Sequence, residues 1–221
     1  MRVAASAALL GLALTAHPAL AQIQSGAEPD DPMRIAILVD NSQTPLEPLP
    51  QIRRGLVQFV DALPKGHELM LVTTGGVMNI RVAPTSDYLE IEEAAGEITF
   101  TRSGGNALIG SVQEIYDRFF RTVEKRWPVF AIITTDGPDL SQRVTNKSVN
   151  ELFQGLQRSS VIVNSVMLTQ TGTSLIRNVV LEMIKASGGA YESSTIPTAL
   201  PGRMKSLATK IAQQHKQRTQ K

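Results

Sequence analysis

Two runs in this chain are apolar at nearly every position rather than at alternate ones: Arg34 to Val39, apolar from Ile35 onward, and Val129 to Thr135. A strand carries such a run only when both of its faces are covered, which is the situation of a strand inside a parallel sheet flanked by helices. Between and after these runs the apolar spacing changes to three and four residues. Ile52, Leu56, Phe59, Val60 and Leu63 share one helical face, and Pro64-Lys65-Gly66 ends it. Glu68 to Thr74 and Val77 to Ala83 read as strands joined through Gly75-Gly76, a connection short enough to predict an antiparallel hairpin.

Helical spacing returns weakly over Tyr88 to Ala95 and strongly at Leu108, Val112, Ile115, Tyr116 and Phe119, with the glycine-bearing loop TFTRSGGNA between them. After Thr135 come a helix with Val149, Leu152, Phe153 and Leu156 on one face, a strand from Val161 to Leu168, and a helix carrying Leu175, Ile176, Val179, Val180, Met183 and Ile184. A short strand at Ala190 to Ser193 and a last helix with Leu200, Met204, Leu207 and Ile211 follow. This alternation predicts an α/β fold: a doubly wound, mostly parallel six-stranded sheet with one antiparallel edge strand and helices on both faces. In such open sheets ligands bind outside the carboxyl ends of the strands.

The first residues, MRVAASAALLGLALTAHPALAQ, have one positive charge, an apolar stretch and a small-x-small site, the pattern of a cleaved secretory signal. The expected organisation is therefore a signal peptide at 1–21, a lead at 22–33, a domain at 34–213 and a basic tail at 214–221. The apolar stretch falls short of the roughly 18 to 20 residues that span a bilayer, so the expectation is an exported protein, periplasmic or extracellular, without a membrane span. With no cysteine, thiol chemistry and thiolate metal sites are excluded, and any metal needs oxygen or histidine ligands. The net charge is +2, and the one basic cluster, KIAQQHKQRTQK, reads as a solvated helix end rather than a nucleic-acid surface.

Both apolar strands end in an aspartate, Asp40 and Asp136. The first is followed by alternating oxygen-bearing residues, Asp40, Ser42 and Thr44, which an extended chain would point in one direction. A carboxylate with two hydroxyls suits Mg²⁺ or Ca²⁺. The competing reading is a loop whose Ser42 or Thr44 caps the helix that follows.

In these residues the chain resembles the von Willebrand factor type A (VWA) domain family, whose members carry a metal-ion-dependent adhesion site (MIDAS) at this sheet edge. The family's D-x-S-x-S motif is matched by Asp40-Asn41-Ser42-Gln43-Thr44, and its aspartate after the fourth strand by Thr134-Thr135-Asp136-Gly137. Its threonine in a glycine-bearing loop is matched in context by Ser103-Gly104-Gly105-Asn106-Ala107-Leu108, with Asn106 in the threonine's place. Ser187-Gly188-Gly189-Ala190-Tyr191 is similar to the glycine pair that opens the family's last strand. The resemblance implies a variant metal site formed by Asp40, Ser42, Thr44, Asn106 and Asp136. An amide oxygen is a neutral ligand as a hydroxyl is, but it lies one atom further out and cannot donate a proton.

The resemblance further implies binding rather than catalysis: a divalent cation, Mg²⁺ with Mn²⁺ or Ca²⁺ as alternatives, holding an acidic side chain of a protein or peptide partner. Two alternatives stand beside it, a metal-free interaction scaffold with a degenerate site and a phosphatase-like hydrolase with Asp40 as nucleophile. The second lacks the D-x-D pattern, since Ser42 occupies its second acid position. His17, His67 and His215 stand apart from every motif, and no serine has a G-x-S-x-G setting. Asp139 and Glu47 read as turn and loop residues, and Thr73-Thr74-Gly75-Gly76 as a hairpin rather than a phosphate loop.

Overall fold

The computed structural model describes residues 31–220 except 45–46, 103–104, 124, 143 and 171–173. The leader at 1–21 and Ser103-Gly104 of the glycine loop lie outside the described residues. Six strands form one sheet: β1 (Met33–Val39), β2 (Glu68–Thr73), β3 (Asn79–Thr85), β4 (Trp127–Thr135), β5 (Ile162–Leu168) and β6 (Tyr191–Ser194). Their order is β3-β2-β1-β4-β5-β6. Every pairing is parallel except β2 with β3, the antiparallel edge predicted from the hairpin. Strand order reverses between β1 and β4, so the carboxyl ends of those two strands flank the crevice where open sheets bind ligands.

Among the described residues the α-helices are α1 (Leu49–Ala62), α2 (Tyr88–Gly96), α3 (Leu108–Ile115), α4 (Asn146–Arg158), α5 (Leu175–Ser187) and α6 (Leu200–Thr219). The period of two along β1 divides its side chains between two cores. Ile35, Ile37 and Val39 pack with α1, α2 and α6, while Ala36 and Leu38 pack with α3, α4 and α5. All nine residues of β4 are buried, as a central strand covered on both faces must be. The close of α5 also depends on backbone shape: Gly188 is left-handed at φ 73. At Gly189 a Cβ would lie 1.9 Å from the Val163 carbonyl oxygen, so no side chain fits there.

Three boundaries differ from the periodicity. The helix expected to run unbroken past Leu108 changes to a π turn at Tyr116–Phe120, where the Tyr116 ring lies against Gly155 of α4. β3 starts at Asn79 rather than Val77, because the turn from β2 needs Thr74 to Met78. The last helix extends to Thr219, so most of the basic tail is its final turns. The helix end expected there is present but not wholly solvated, because its inward residues are polar: His215 is buried and its Nε2 meets the Asp31 carbonyl oxygen at 2.9 Å. Further back, α6 is held by buried Glu192 of β6, which accepts hydrogen bonds from Arg203, Ser206 and Lys210. Burial alone would raise this carboxyl's pKa, but the Lys210 and Ser206 hydrogen bonds outweigh it and hold it below the usual value.

Candidate metal-binding site

Asp40 follows β1 directly, and its backbone N–H still donates to the Ile133 carbonyl of β4, at 2.8 Å. The carboxylate is 2% exposed, so it needs donors, and four converge on it. Oδ1 accepts from the Ser42 N–H at 2.9 Å and the Ser42 hydroxyl at 2.6 Å. Oδ2 accepts from the Thr135 N–H at 3.2 Å and the Thr135 hydroxyl at 2.5 Å. The bond from Ser42 N back to Asp40 makes an Asx turn, not the extended exit the alternation implied, yet it brings Asp40 and Ser42 together all the same. With their protons directed to Asp40, the Ser42 and Thr135 hydroxyls present lone pairs to anything else that approaches. Neither Ser42 nor Thr44 caps α1, which begins after Pro48 with no side-chain cap.

Asn106 comes from the glycine loop and is 0% exposed. Its backbone is bridged to Gly75 on one side and Asp139 on the other, with N donating to the Pro138 carbonyl at 3.0 Å and O accepting from Leu140 N at 2.6 Å. The network fixes its amide orientation. The Thr134 hydroxyl donates to the Thr135 carbonyl at 2.8 Å, so it can only accept from Asn106, through Nδ2 at 2.9 Å. Among the described residues Asn106 Oδ1 is then left buried with no partner, and Thr44 Oγ1 shares that condition. Each such atom costs about 1–3 kcal/mol unless something supplies a positive charge or a proton.

Asp136 lies 9% exposed at the end of β4, and both its oxygens accept from the Gln170 N–H at 2.9 Å. Its carboxylate thus meets the chain leaving β5. Among the described residues, neither Thr44 nor Asp136 hydrogen-bonds to Asp40, Ser42 or Asn106. Those three, by contrast, are linked through the adjacent Thr134 and Thr135.

Sequence reasoning missed the residues that hold the loops together. Asn41 donates through Nδ2 to the Thr99 carbonyl at 2.8 Å and accepts through Oδ1 from Gly75 N at 2.9 Å, tying three loops together. The approach is so close that a Cβ on Gly75 would sit 2.6 Å from Asn41 Oδ1 and 2.7 Å from Ser42 N. Nothing in the order of residues announces these contacts. Thr134 and Thr135 did leave a sign, a polar pair ending an otherwise apolar strand.

The secondary candidates take structural places. Asp139 accepts from Ile109 N at 3.1 Å and Ser141 N at 2.9 Å, capping α3, which has no side-chain cap of its own. Glu47 is exposed, and its N–H donates to the Thr44 carbonyl at 3.1 Å. His67 and His215 lie at the other edge of the sheet, with ring centroids 4.7 Å apart. Among the described residues no three histidine or acidic side chains gather as a metal cluster. Any cation at the carboxyl edge would therefore rest largely on neutral oxygens.

No protein-family model matches this sequence, and neither does any curated protein. Solved structures do match. A von Willebrand factor type A protein from Catenulispora acidiphila is 16% identical with a TM-score of 0.66, over 82% of this chain and 43% of that one. The vWF domain of the type V pili tip protein Mfa5 from Porphyromonas gingivalis is 10% identical with a TM-score of 0.60, over 82% of this chain and 95% of that one. Proximal thread matrix protein 1 from the mussel byssus, with a zinc-occupied MIDAS motif, is 16% identical with a TM-score of 0.61, over 81% of this chain and 46% of that one. This chain therefore spans less than half the length of the Catenulispora and mussel proteins. At such identities the likeness establishes the fold, and the fold of this chain is that of a type A domain.

Proposed function

We propose that this type A fold is an exported binding module that takes a divalent cation at Asp40, Ser42, Thr44, Asn106 and Asp136 and uses it to hold an acidic side chain of a protein partner. The observation that carries the proposal is the pair of buried oxygens, Asn106 Oδ1 and Thr44 Oγ1, that lack a partner among the described residues, at the edge where Asp40 is fixed by four donors. An all-oxygen donor set fits Mg²⁺, Mn²⁺ or Ca²⁺. Ser42, Thr44 and Asn106 would supply neutral oxygens, and Asp40 and Asp136 the negative charge. The bound ion would supply a positive charge for a partner carboxylate. The zinc-occupied motif of the mussel protein and the pilus-tip location of the Porphyromonas domain support the cation and the export in this reading.

Hydrolysis fits the geometry less well. As a nucleophile, Asp40 would have to break bonds to donors that occupy both of its oxygens, while remaining shielded from solvent. We therefore assign no enzymatic role.

Thermal melting with Mg²⁺, Mn²⁺ and Ca²⁺, for the protein and for Asn106→Leu, tests the proposal. A cation at about 100 times its dissociation constant stabilises by about 2.7 kcal/mol, and that gain is expected in the parent and absent in the variant. An unchanged melting temperature in the parent with all three ions would defeat it. Partner capture that survives chelation would favour the metal-free scaffold instead.

A further inference from the structure

Thr135, the last residue of β4, stands outside the oxygens that the family resemblance implies, yet the fold places it as it places Ser42. Ser42 meets Asp40 Oδ1 with its backbone N–H and its hydroxyl, and Thr135 meets Oδ2 with the same two groups, at 3.2 and 2.5 Å. One buried carboxylate is thus bracketed by two hydroxyls, each with its proton already committed. Lone pairs are all that either oxygen can offer to a further group.

Satisfying Asp40 accounts for where the Thr135 proton goes. It does not account for the room beside the oxygen. Gly137, two residues on, is not one of the positive-φ glycines, so its backbone does not demand the absence of a side chain. A Cβ there would lie 3.4 Å from Thr135 Oγ1, with no other atom of the described residues within 4 Å apart from its chain neighbours. The bare glycine leaves one approach to that oxygen clear. Asp136, between the two, has both carboxylate oxygens on the Gln170 N–H. The end of β4 therefore reaches Asp40 through Thr135 rather than through its own acid.

We propose that Thr135 is a further ligand of the cation, its hydroxyl oxygen joining those of Ser42, Thr44 and Asn106; this inference rests on the cation site proposed above. Neutral hydroxyls are ordinary ligands of hard divalent ions, as in the serine or threonine that holds Mg²⁺ in phosphate-binding loops.

Calorimetric titration of Mn²⁺ and Cd²⁺ into the full chain, with Thr135→Ser, Thr135→Val and Thr135→Cys alongside, separates a ligand from a structural prop. Thr135→Ser keeps the hydroxyl and should bind Mn²⁺ as the parent does, whereas Thr135→Val should bind it about tenfold or more weakly. A slackened Asp40 would weaken Thr135→Val as well, so the thiol decides. Sulfur prefers soft ions, and Thr135→Cys should raise the ratio of Cd²⁺ to Mn²⁺ affinity above the parent's. The chain has no cysteine of its own, so an ultraviolet thiolate-to-cadmium absorption band can come only from that position. Parent-like Mn²⁺ binding by Thr135→Val, or a Thr135→Cys protein lacking either the raised ratio or the band, overturns the proposal and leaves the parent's cation site standing. A parent that binds none of Mg²⁺, Mn²⁺ and Ca²⁺ overturns the cation site and this ligand together.

Discussion

The two edges of the sheet meet the same difficulty, a buried polar atom with nothing to bond among the described residues, and at His67 the amino edge meets it with the opposite sign. At the carboxyl edge the unpaired atoms are oxygens, Asn106 Oδ1 and Thr44 Oγ1. At the amino edge they include a ring nitrogen, His67 Nε2, as well as the Gln214 side-chain oxygen. His67 Nδ1 accepts from the Met33 N–H at 3.1 Å, so in the neutral ring Nε2 carries the proton. An acceptor without a partner is relieved by a cation. A donor without a partner, next to His215 and Arg126, is made worse by one. The difference teaches why a cation would relieve the oxygens of one edge, while the other must keep His67 neutral.

Asp40→Ala should break the first half of that contrast most severely. It removes the acceptor from two hydroxyls and two backbone N–H groups, and two buried main-chain donors left unpaired cost roughly 3 kcal/mol or more. Urea unfolding should show that loss, and no divalent ion should restore it. A variant as stable as the parent would mean that Asp40 does not organise the edge.

Acid should break the second half. Burial pushes His67 down from 6.5 to about 4, with His215 and Arg126 adding to the effect. The unfolded chain then binds the proton more readily than the folded one between those pH values. The stability contributed is complete above pH 6.5 and is lost as the pH falls toward 4, by roughly 3 kcal/mol at most. Melting across pH 4 to 8 should show this slope in the parent and a shallower one in His67→Gln. Equal slopes would place the titration elsewhere.

Gly75→Ala should sharpen the picture of loop positioning. Its methyl group would enter the space held by Asn41 Oδ1, Thr101 Oγ1 and Ser42 N, with the roughly 1–3 kcal/mol typical of overpacking. Divalent ions should stabilise this variant less than the parent, because Ser42 is displaced. The smallest change in stability is expected of Asn106→Leu. Losing the bond to Thr134 costs about 1 kcal/mol, and removing the unpaired oxygen offsets it, so the ion-free melting temperature should hardly move. A large ion-free loss would show that Asn106 acts mainly as a structural strut.

Much of the fold could be read from spacing, because burial on two faces leaves a continuous apolar run and burial on one face of a helix leaves gaps of three and four. β1, β4 and the antiparallel edge strand follow from that alone. The end of α6 did not, since His215 and Glu192 are buried polar residues whose partners, Asp31 and Lys210, are chosen by the fold. The site divides in the same way. Asp40, Asp136 and the hydroxyl cluster stood out as polar residues at the ends of apolar strands. Asn41 and Gln170 act through contacts with distant loops and left little or no periodic trace.

By itself the sequence determined which segments become strands and helices, that the sheet is mostly parallel, and that two aspartates reach its carboxyl edge. Those outcomes depend on local periodicity and on where apolar runs stop. Only the tertiary structure decided that Asn106 directs its amide nitrogen to Thr134 and leaves its oxygen without a partner among the described residues, and that Gly75 admits no side chain. Such features arise when residues far apart in the chain exclude water together, and a linear order of residues does not record which groups will then lack a partner.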